Sequence, residues 1–340
     1  MSSRKQSKVN LLKDNSGWVT SLENKALCNI LKNLDIRVTS RRITTFQVCY
    51  FPDKYAAIKQ CRFYSYLGNR LAFDYYHGDP SISPEFVNIF SELLTKRKYF
   101  QRIRVSHSGI EQLLKNEGLE KEVFRIPIGI DINLFPIQTP KMKENFRTHL
   151  KIPQTAFVIG SFQKDGNGWR EGNEPKLIKG PDIFLKTLRI LKYRIPELFV
   201  LLTGPARGYV KSGLESLNIP YLHYYPERYS EIYKYYQTLD AYLVTSREEG
   251  GPKAILESMA SGIPVISTKV GQAQDLMTNG LNDWLSERED CESLAENIIS
   301  IFDSNVSITS LKSEARSIAE KNTYHSQISM WRDFFEPLIM

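Results

Sequence analysis

One stretch in the second half of the chain, residues 240–267, constrains the fold more than any other. An apolar run at 240–244 leads into a polar Glu-Glu-Gly-Gly-Pro loop, a helical segment follows, and a second apolar run lies at 263–267. This order predicts strand, tight loop, helix and strand. A chain with such units forms a parallel sheet covered by helices.

The loop of this stretch has the chemistry of an anion site. Gly250 and Gly251 allow a ligand to approach the backbone closely, and Pro252 suits the first position of a helix, where its missing N–H is not needed. The free N–H groups of a helix start attract anions. The carboxylates of Glu249 and Glu257 lie on either side and could hold hydroxyl groups. A sugar nucleotide, with a sugar, two phosphates and a ribose, has these parts.

Length and composition place the chain among two-domain globular proteins. Its 340 residues are too many for one ordinary core, and 41% of them are hydrophobic. No uncharged apolar run approaches the ~18 residues that span a bilayer, and the N-terminus lacks the apolar core of a secretory signal. The four cysteines have no C-x-x-C spacing. We therefore expect neither disulfides nor a zinc site, and a reducing, cytoplasmic location.

The positive charge is concentrated in the first half. Residues 1–135 contain 21 Lys and Arg against 13 Asp and Glu, whereas residues 136–340 contain 24 against 25. Chance and a basic tail explain this asymmetry as well as an acidic partner does. If a partner is involved, anionic lipid on the inner face of a membrane or a phosphorylated acceptor fits. Nucleic acid is not expected, since the basic residues are scattered and no nucleic-acid motif accompanies them.

Alternating apolar runs and helical patterns predict two doubly wound α/β domains. The first spans residues 1–135, the second spans 150–320, and 321–340 forms a helix that packs back on the first. The polar, proline-containing stretch 136–152 is typical of a linker, and the glycine-rich segment 165–179 is expected to be a flexible loop. Ligands of such domains bind outside the carboxyl ends of the strands.

The second half of the chain resembles a known family, the retaining glycosyltransferases of family 4, which have the GT-B fold. The family hallmark is two glutamates with seven residues between them and a following A-M-A-x-G-x-P-V-I run. Here it reads from Glu249-Gly250-Gly251 through Glu257-Ser258-Met259-Ala260 to Ile266. Lys164 stands where the family has an arginine, and Lys179-Gly180 matches a later Lys-Gly pair. The first half is similar more weakly, through Tyr76-His77-Gly78-Asp79 and a reduced opening loop at Asn15-Ser16-Gly17.

The resemblance implies a role for each matching residue. Lys164, Lys179 and the helix start would stabilise the leaving diphosphate, Glu249 and His77 would hold the donor sugar, and Glu257 would hold the ribose. The implied catalytic residues are His77, Lys164, Lys179 and Glu249. The implied donor-binding residues are Gly204, Gly250, Gly251, Pro252, Lys253, Ala254 and Glu257, and the implied acceptor-side residues are Ser16, Gly17 and Asp79.

The predicted function is therefore retaining transfer of a sugar from a nucleoside-diphosphate sugar to a glycan, polysaccharide or lipid-linked acceptor in cell-surface polysaccharide synthesis. No cofactor is expected, and the lack of an Asp-x-Asp motif at a strand end agrees with a metal-independent reaction. Two alternatives stay open. A sugar-nucleotide epimerase or phosphorylase has the same architecture, and a degenerate copy of the fold could act only as a docking module.

Overall fold

The computed structural model describes residues 8–13, 19–278, 281, 284–303 and 308–339. The chain divides into two compact units, the first containing residues 1–129 and 322–340 and the second residues 130–321. Each unit has a six-stranded, wholly parallel sheet. The predicted fold class, two doubly wound α/β domains, is confirmed.

The elements follow one another in a regular alternation. The strands are β1 (Lys8–Leu11), β2 (Arg37–Thr39), β3 (Val48–Phe51), β4 (Arg70–Asp74), β5 (Phe100–Val105), β6 (Val123–Arg125), β7 (Phe157–Phe162), β8 (Leu198–Thr203), β9 (Tyr221–Tyr224), β10 (Ala241–Val244), β11 (Val265–Thr268) and β12 (Leu285–Ser286). The helices are α1 (Val19–Asn33), α2 (Lys54–Tyr66), α3 (Val87–Lys96), α4 (Ser108–Asn116), α5 (Pro140–Leu150), α6 (Pro181–Lys192), α7 (Gly208–Ser216), α8 (Tyr233–Tyr236), α9 (Lys253–Ser261), α10 (Ala273–Leu276), α11 (Cys291–Phe302), α12 (Ile308–Lys321) and α13 (Ile328–Ile339).

The strand orders place the loops at the carboxyl ends of the central strands. The first sheet runs β2-β1-β3-β4-β5-β6 and the second runs β12-β11-β10-β7-β8-β9. In the second sheet β10 and β8 flank β7, so the loops after these three strands emerge side by side. Parallel strands with both faces covered are apolar throughout, and β8 and β10 are buried along their whole length.

The last helix completes the core of the first unit. On α13, the aromatic rings of Trp331, Phe334 and Phe335 surround Tyr50 of β3, with ring centroids 5.9, 6.1 and 5.7 Å from it. Edge-on aromatic contacts at these distances add to the free energy of burial. The two ends of the chain sequence therefore share one hydrophobic core.

A buried ionic network lies beneath this aromatic cluster. The guanidinium of Arg104, which is 2% exposed, donates to Glu23 Oε2 (2.9 Å) and to the hydroxyl of Tyr76 (2.8 Å) and lies 3.5 Å from Asp74 Oδ1. The Tyr50 hydroxyl donates to the same oxygen of Asp74. Every charge of the network has an opposite charge or a hydrogen-bond partner, as buried charges require.

This network predicts an unusual pH dependence of stability. Burial raises the pKa of Asp74 from its usual 3.8 to about 6, although Arg104 opposes the shift. Between these two values the folded protein holds a proton that the unfolded chain has lost, so this group's contribution to stability falls as pH rises. We expect the free energy of unfolding of wild type, relative to Asp74→Asn, to decrease between about pH 4 and pH 6 and then level off. Urea titrations of both proteins across this range measure it; a difference that increases with pH contradicts the assignment.

The prediction of a linker at residues 136–152 is wrong. Residues 140–150 form α5, which belongs to the second unit, and Thr139 caps it by accepting from Met142 N at 3.2 Å. The buried Arg147 ties α5 down by donating to Thr238 O (2.9 and 2.8 Å) and to Asp240 Oδ2 (2.6 Å). The segment is polar because hydrogen bonds, and not an apolar stripe, hold α5 on the second unit. This polar composition led to the prediction of a linker.

The segment 165–179 is also more ordered than a flexible loop. Gly166 forms a bridge with Pro175, and Asn167 N donates to Glu174 O at 2.9 Å. A Cβ on Gly166 or on Gly172 would lie 2.4 Å from the carbonyl oxygen of Ala206. The glycines therefore allow close backbone packing, whereas the sequence analysis interpreted them as a sign of flexibility.

Candidate functional site

The candidate site lies in the second unit, in the loops that follow its central strands. The loop between β10 and α9 carries Glu249, and its carboxylate accepts from Lys179 Nζ at 2.5 Å and from Ser246 Oγ at 3.0 Å. Lys179 lies just before α6, more than sixty residues earlier in the chain. The two residues that the sequence analysis expected to serve the donor sugar and its diphosphate are thus brought into direct contact.

A glycine makes this contact possible. Gly180 has φ +62°, and a Cβ placed on it would lie 1.8 Å from the carbonyl oxygen of Thr245. The Thr245 hydroxyl in turn donates to Gly180 O at 2.8 Å. No other residue allows the Lys179 loop to approach the end of β10 this closely.

A second glycine supports the loop from the other side. Gly271, after β11, has φ +47°, and a Cβ on it would lie 2.5 Å from Glu249 O and 2.9 Å from Gly250 O. The Thr268 hydroxyl donates to Ser246 O at 2.6 Å. The backbone around Glu249 is therefore held by loops from both neighbouring strands.

Glu257 lies inside α9 and is only 5% exposed. Its Oε1 accepts from the Tyr229 hydroxyl at 2.6 Å and its Oε2 from the Tyr236 hydroxyl at 2.8 Å. Burial raises the pKa of Glu257, while the charge of Lys253 and the two hydroxyls oppose the shift. A carboxylate fixed by two phenols presents its remaining lone pairs in one orientation, as a binding group for hydroxyls requires.

Removing either phenol tests this arrangement. We expect Tyr236→Phe to lower the free energy of unfolding by about 1–3 kcal/mol, because it leaves a buried carboxylate oxygen without its donor. Tyr229→Phe should have a smaller effect, since Tyr229 is only half-buried. Urea unfolding curves of both variants measure this, with Tyr193→Phe as an exposed control; equal stability of Tyr236→Phe and the control contradicts the interpretation.

The donor-binding residues named from the loop motif lie together, as their sequence positions require. Gly250, Gly251 and Pro252 precede α9, Pro252 stands at its N-cap, and Lys253 and Ala254 open its first turn. Lys253 is buried. Gly204 follows β8 directly with φ +94°, and a Cβ on it would lie 2.8 Å from Gln163 O.

Lys164 follows β7 but does not join the Lys179–Glu249 pair. Its ammonium lies over the ring of Trp169, 3.8 Å from the centroid, and partial burial lowers its pKa. Trp169 is exposed. Lys164 is thus held against the 165–179 segment.

Arg207 is a residue that the sequence analysis missed. It is 1% exposed and binds the ends of two strands by donating to Ser161 O (2.7 Å), Gln163 O (2.9 Å) and Thr203 O (3.0 Å). Asp165 Oδ2 lies 3.0 Å from its guanidinium. An arginine just after a strand-ending Gly-Pro was a signal for such a role. Residues 221–236 contain seven tyrosines, and this density was the corresponding signal for Tyr229 and Tyr236.

The remaining predicted residues belong to the first unit. His77 follows β4, with its ring edge-on to Phe86 at 5.3 Å, and its carbonyl oxygen accepts from the buried Lys54. Asp79 closes its own turn by accepting from Ser81 N at 2.8 Å and Ser81 Oγ at 2.6 Å. Ser16 and Gly17 lie outside the described residues.

The described residues contain neither a metal-binding cluster nor a membrane-spanning helix. Among them, no group of three or more His, Cys, Asp or Glu side chains could hold a metal ion. No helix in the described ranges is both long enough and apolar enough to cross a bilayer.

Comparison with known families shows what this part of the chain resembles. Residues 175–324, which contain Lys179, Glu249 and Glu257, match the family described as Glycosyl transferases group 1. Residues 175–324 therefore resemble a group 1 glycosyltransferase domain, and we call them the group 1 domain. The predicted resemblance to group 1 glycosyltransferases is confirmed, and the Lys179–Glu249 pair lies within the matched residues.

Curated relatives of this group 1 domain are distant. A D-inositol 3-phosphate glycosyltransferase of Corynebacterium urealyticum is 28% identical over 199 residues, covering 53% of this chain and 43% of the relative. An N,N'-diacetylbacillosaminyl-diphospho-undecaprenol alpha-1,3-N-acetylgalactosaminyltransferase of Campylobacter jejuni is 26% identical, covering 58% of this chain and 50% of the relative. The matched region spans about half the length of these proteins or less.

Solved structures extend the likeness to the whole fold. Anabaena HepE in complex with UDP and glucose matches with a TM-score of 0.78 and 17% identity, covering 98% of this chain and all of HepE. A sucrose-phosphate synthase of Thermosynechococcus elongatus matches with a TM-score of 0.76 and 14% identity, covering 98% of this chain and 99% of that protein. At these identities the likeness establishes the fold.

Proposed function

We propose that the protein is a retaining, metal-independent glycosyltransferase that moves a sugar from a nucleoside-diphosphate sugar to a glycan, polysaccharide or lipid-linked acceptor. The observation that carries the proposal is the Lys179–Glu249 ion pair, 2.5 Å long, at the strand ends of the group 1 domain. It joins a cation suited to a phosphate with a carboxylate suited to sugar hydroxyls.

The positive groups around this pair suit a diphosphate leaving group. As the bond between sugar and phosphate breaks, negative charge develops on the phosphate oxygens. The Lys179 ammonium, exchanging its Glu249 partner for the diphosphate, would stabilise this charge together with the N-terminus of α9. Fixed positive groups of this kind do the work that a divalent cation does in metal-dependent enzymes, and no cofactor besides the donor is proposed.

The carboxylates suit the hydroxyl groups of the donor. Glu249 would accept hydrogen bonds from the sugar, and Glu257, fixed by Tyr229 and Tyr236, would accept from the ribose. UDP-sugars are the first donors to test, because Anabaena HepE has been solved in complex with UDP and with UDP-glucose. The parts played by Lys164 and His77 stay predictions.

The names of two relatives support a phosphate-containing acceptor. One acts on D-inositol 3-phosphate and another on a diphospho-undecaprenol-linked sugar, as their names state. Both acceptors carry phosphate, which the basic first half of this chain would attract. The lipid-linked acceptor of the second relative also supports a proposed role in surface polysaccharide synthesis. A cytoplasmic location is proposed because the cysteines are free.

The donor is tested by thermal shift. The full chain is heated with UDP-, GDP-, ADP- or CMP-sugars, and we expect one nucleotide class to raise the melting temperature, with Lys179→Ala abolishing the shift. Lys186→Ala, at an exposed position of the following helix α6, is the matched control. A pure docking module would be stabilised by none of the donors, and this outcome would contradict the proposal.

The reaction is tested with the donor so identified. After dialysis against EDTA, NMR should show a product with the anomeric configuration of the donor sugar, formed only when an acceptor is present. Conversion of the donor without an acceptor would favour an epimerase. An inverted product or recovery of activity only with added Mg²⁺ would contradict retention or metal independence, respectively.

A further inference from the structure

The first unit carries an exposed apolar patch that the proposed reaction does not use. It consists of Ile43, Phe46, Phe63 and Tyr66, which are 61%, 86%, 51% and 90% exposed. Large apolar side chains at this exposure are ordinary when single, but several of them on adjoining segments indicate an interaction surface. We call these four residues, with Arg41 and Arg42, the aromatic patch.

Hydrogen bonds and packing bring the two halves of the patch together. The segment 41–46 runs along the end of α2, which carries the other two rings: Phe46 N donates to Leu67 O at 3.3 Å. The Tyr64 hydroxyl donates to Arg42 O, and the Asn69 side-chain amide donates to Thr44 O at 2.8 Å. The exposed side chains therefore stand on an anchored backbone.

Phe46 is held outward against a backbone preference. Its φ is +51°, in the left-handed region that bulky residues rarely adopt. The neighbouring Gly68, with φ +75°, leaves space for the ring, since a Cβ there would lie 2.6 Å from Phe46 Cε1. An aromatic residue kept exposed in a strained conformation points to a function for its ring.

The charge around the patch is strongly positive. Residues 36–70 contain seven Lys and Arg and a single acidic residue, Asp53, which caps the far end of α2. The side chains of Arg41, Arg42, Lys59 and Arg62 are all exposed. Exposed apolar side chains with exposed basic residues on the same segments complement an apolar phase that lies beneath a layer of negative charge.

We propose that the aromatic patch binds the surface of a bilayer that contains anionic lipid. Phe46, Tyr66 and Ile43 enter the boundary between headgroups and acyl chains, and the arginines bind lipid phosphates. The exposed aliphatic Ile43 favours a bilayer over a nucleic acid, to which arginines and aromatic rings alone would be suited. The inference does not depend on the reaction that the second unit performs.

Co-sedimentation of the full chain with vesicles tests the proposal. We expect binding to phosphatidylcholine vesicles containing phosphatidylglycerol, weak binding to pure phosphatidylcholine, and loss of binding at high salt. Phe46→Ser and Tyr66→Ser should each reduce the partition coefficient about fivefold or more, and Arg41→Ser with Arg42→Ser should remove the dependence on anionic lipid. Tyr193→Ser, which removes an equally exposed ring from the second unit, should bind as wild type.

Three outcomes would overturn the proposal. One is equal binding to both kinds of vesicle, or to none. Another is unchanged binding by Tyr66→Ser, which removes the most exposed ring of the patch. The third is that the patch variants abolish a concentration-dependent dimer or the binding of an oligonucleotide while vesicle binding persists; this result would assign the patch to another partner.

Discussion

Glu249→Ala is expected to reduce sugar transfer by about a hundredfold or more while leaving the fold intact. The carboxylate is held by Lys179 and Ser246 at the strand ends of the group 1 domain. Its loss removes both the proposed partner of the donor sugar and the group that positions the Lys179 ammonium. Initial transfer rates with the donor identified by thermal shift, at saturating acceptor, measure the effect.

Two controls make this result specific. Glu296→Ala removes an exposed carboxylate from α11 of the same unit and should leave turnover unchanged. Glu249→Gln keeps the shape and removes the charge, so it should still melt at the wild-type temperature but transfer slowly. Turnover of Glu249→Ala within a few-fold of wild type would remove this residue from the site.

Arg104→Met is expected to destabilise the first unit by about 3–5 kcal/mol near neutral pH, because it leaves buried carboxylates without their cation. The guanidinium binds Glu23 and lies between Tyr76 and the ring of Trp331, 4.7 Å from the ring centroid. Urea unfolding followed by tryptophan fluorescence measures the loss.

Neutralising the carboxylates that lose their cation should restore stability to Arg104→Met. Adding Glu23→Gln and Asp74→Asn to Arg104→Met removes the uncompensated charges, so the triple variant should recover much of the lost stability. Arg102→Met, on the same strand but less buried, is the matched control. If the triple variant is no more stable than Arg104→Met, the loss comes from packing rather than from charge.

The aromatic patch is only partly visible in the sequence. The basic bias of the first half is plain from composition, but its concentration beside Phe46 and Tyr66 is not. Segment 41–46 leads into β3 and the end of α2 leads into β4, so the two meet because β3 and β4 are paired in parallel. The exposed fraction of a phenylalanine cannot be inferred from its neighbours in sequence.

The structure of the loops shows where sequence interpretation failed. Polar residues and prolines at 136–152 indicated a linker, and glycines at 165–179 indicated flexibility. In both segments the order comes from hydrogen bonds to distant residues, such as those of Arg147 to Thr238 and Asp240. Local composition contains no information about such partners.

The sequence by itself determined the alternation of strands and helices, the division into two doubly wound units and the group 1 motif around Glu249 and Glu257. These properties depend on hydrophobic periodicity and on glycines and prolines at fixed spacing, which are local. Only the tertiary structure decided that Lys179 pairs with Glu249, that two tyrosines fix Glu257, and that Arg207 joins two strand ends. Each of these contacts links residues that are far apart in the chain, and the order of strands in the sheet, which brings them together, is a property of the whole core.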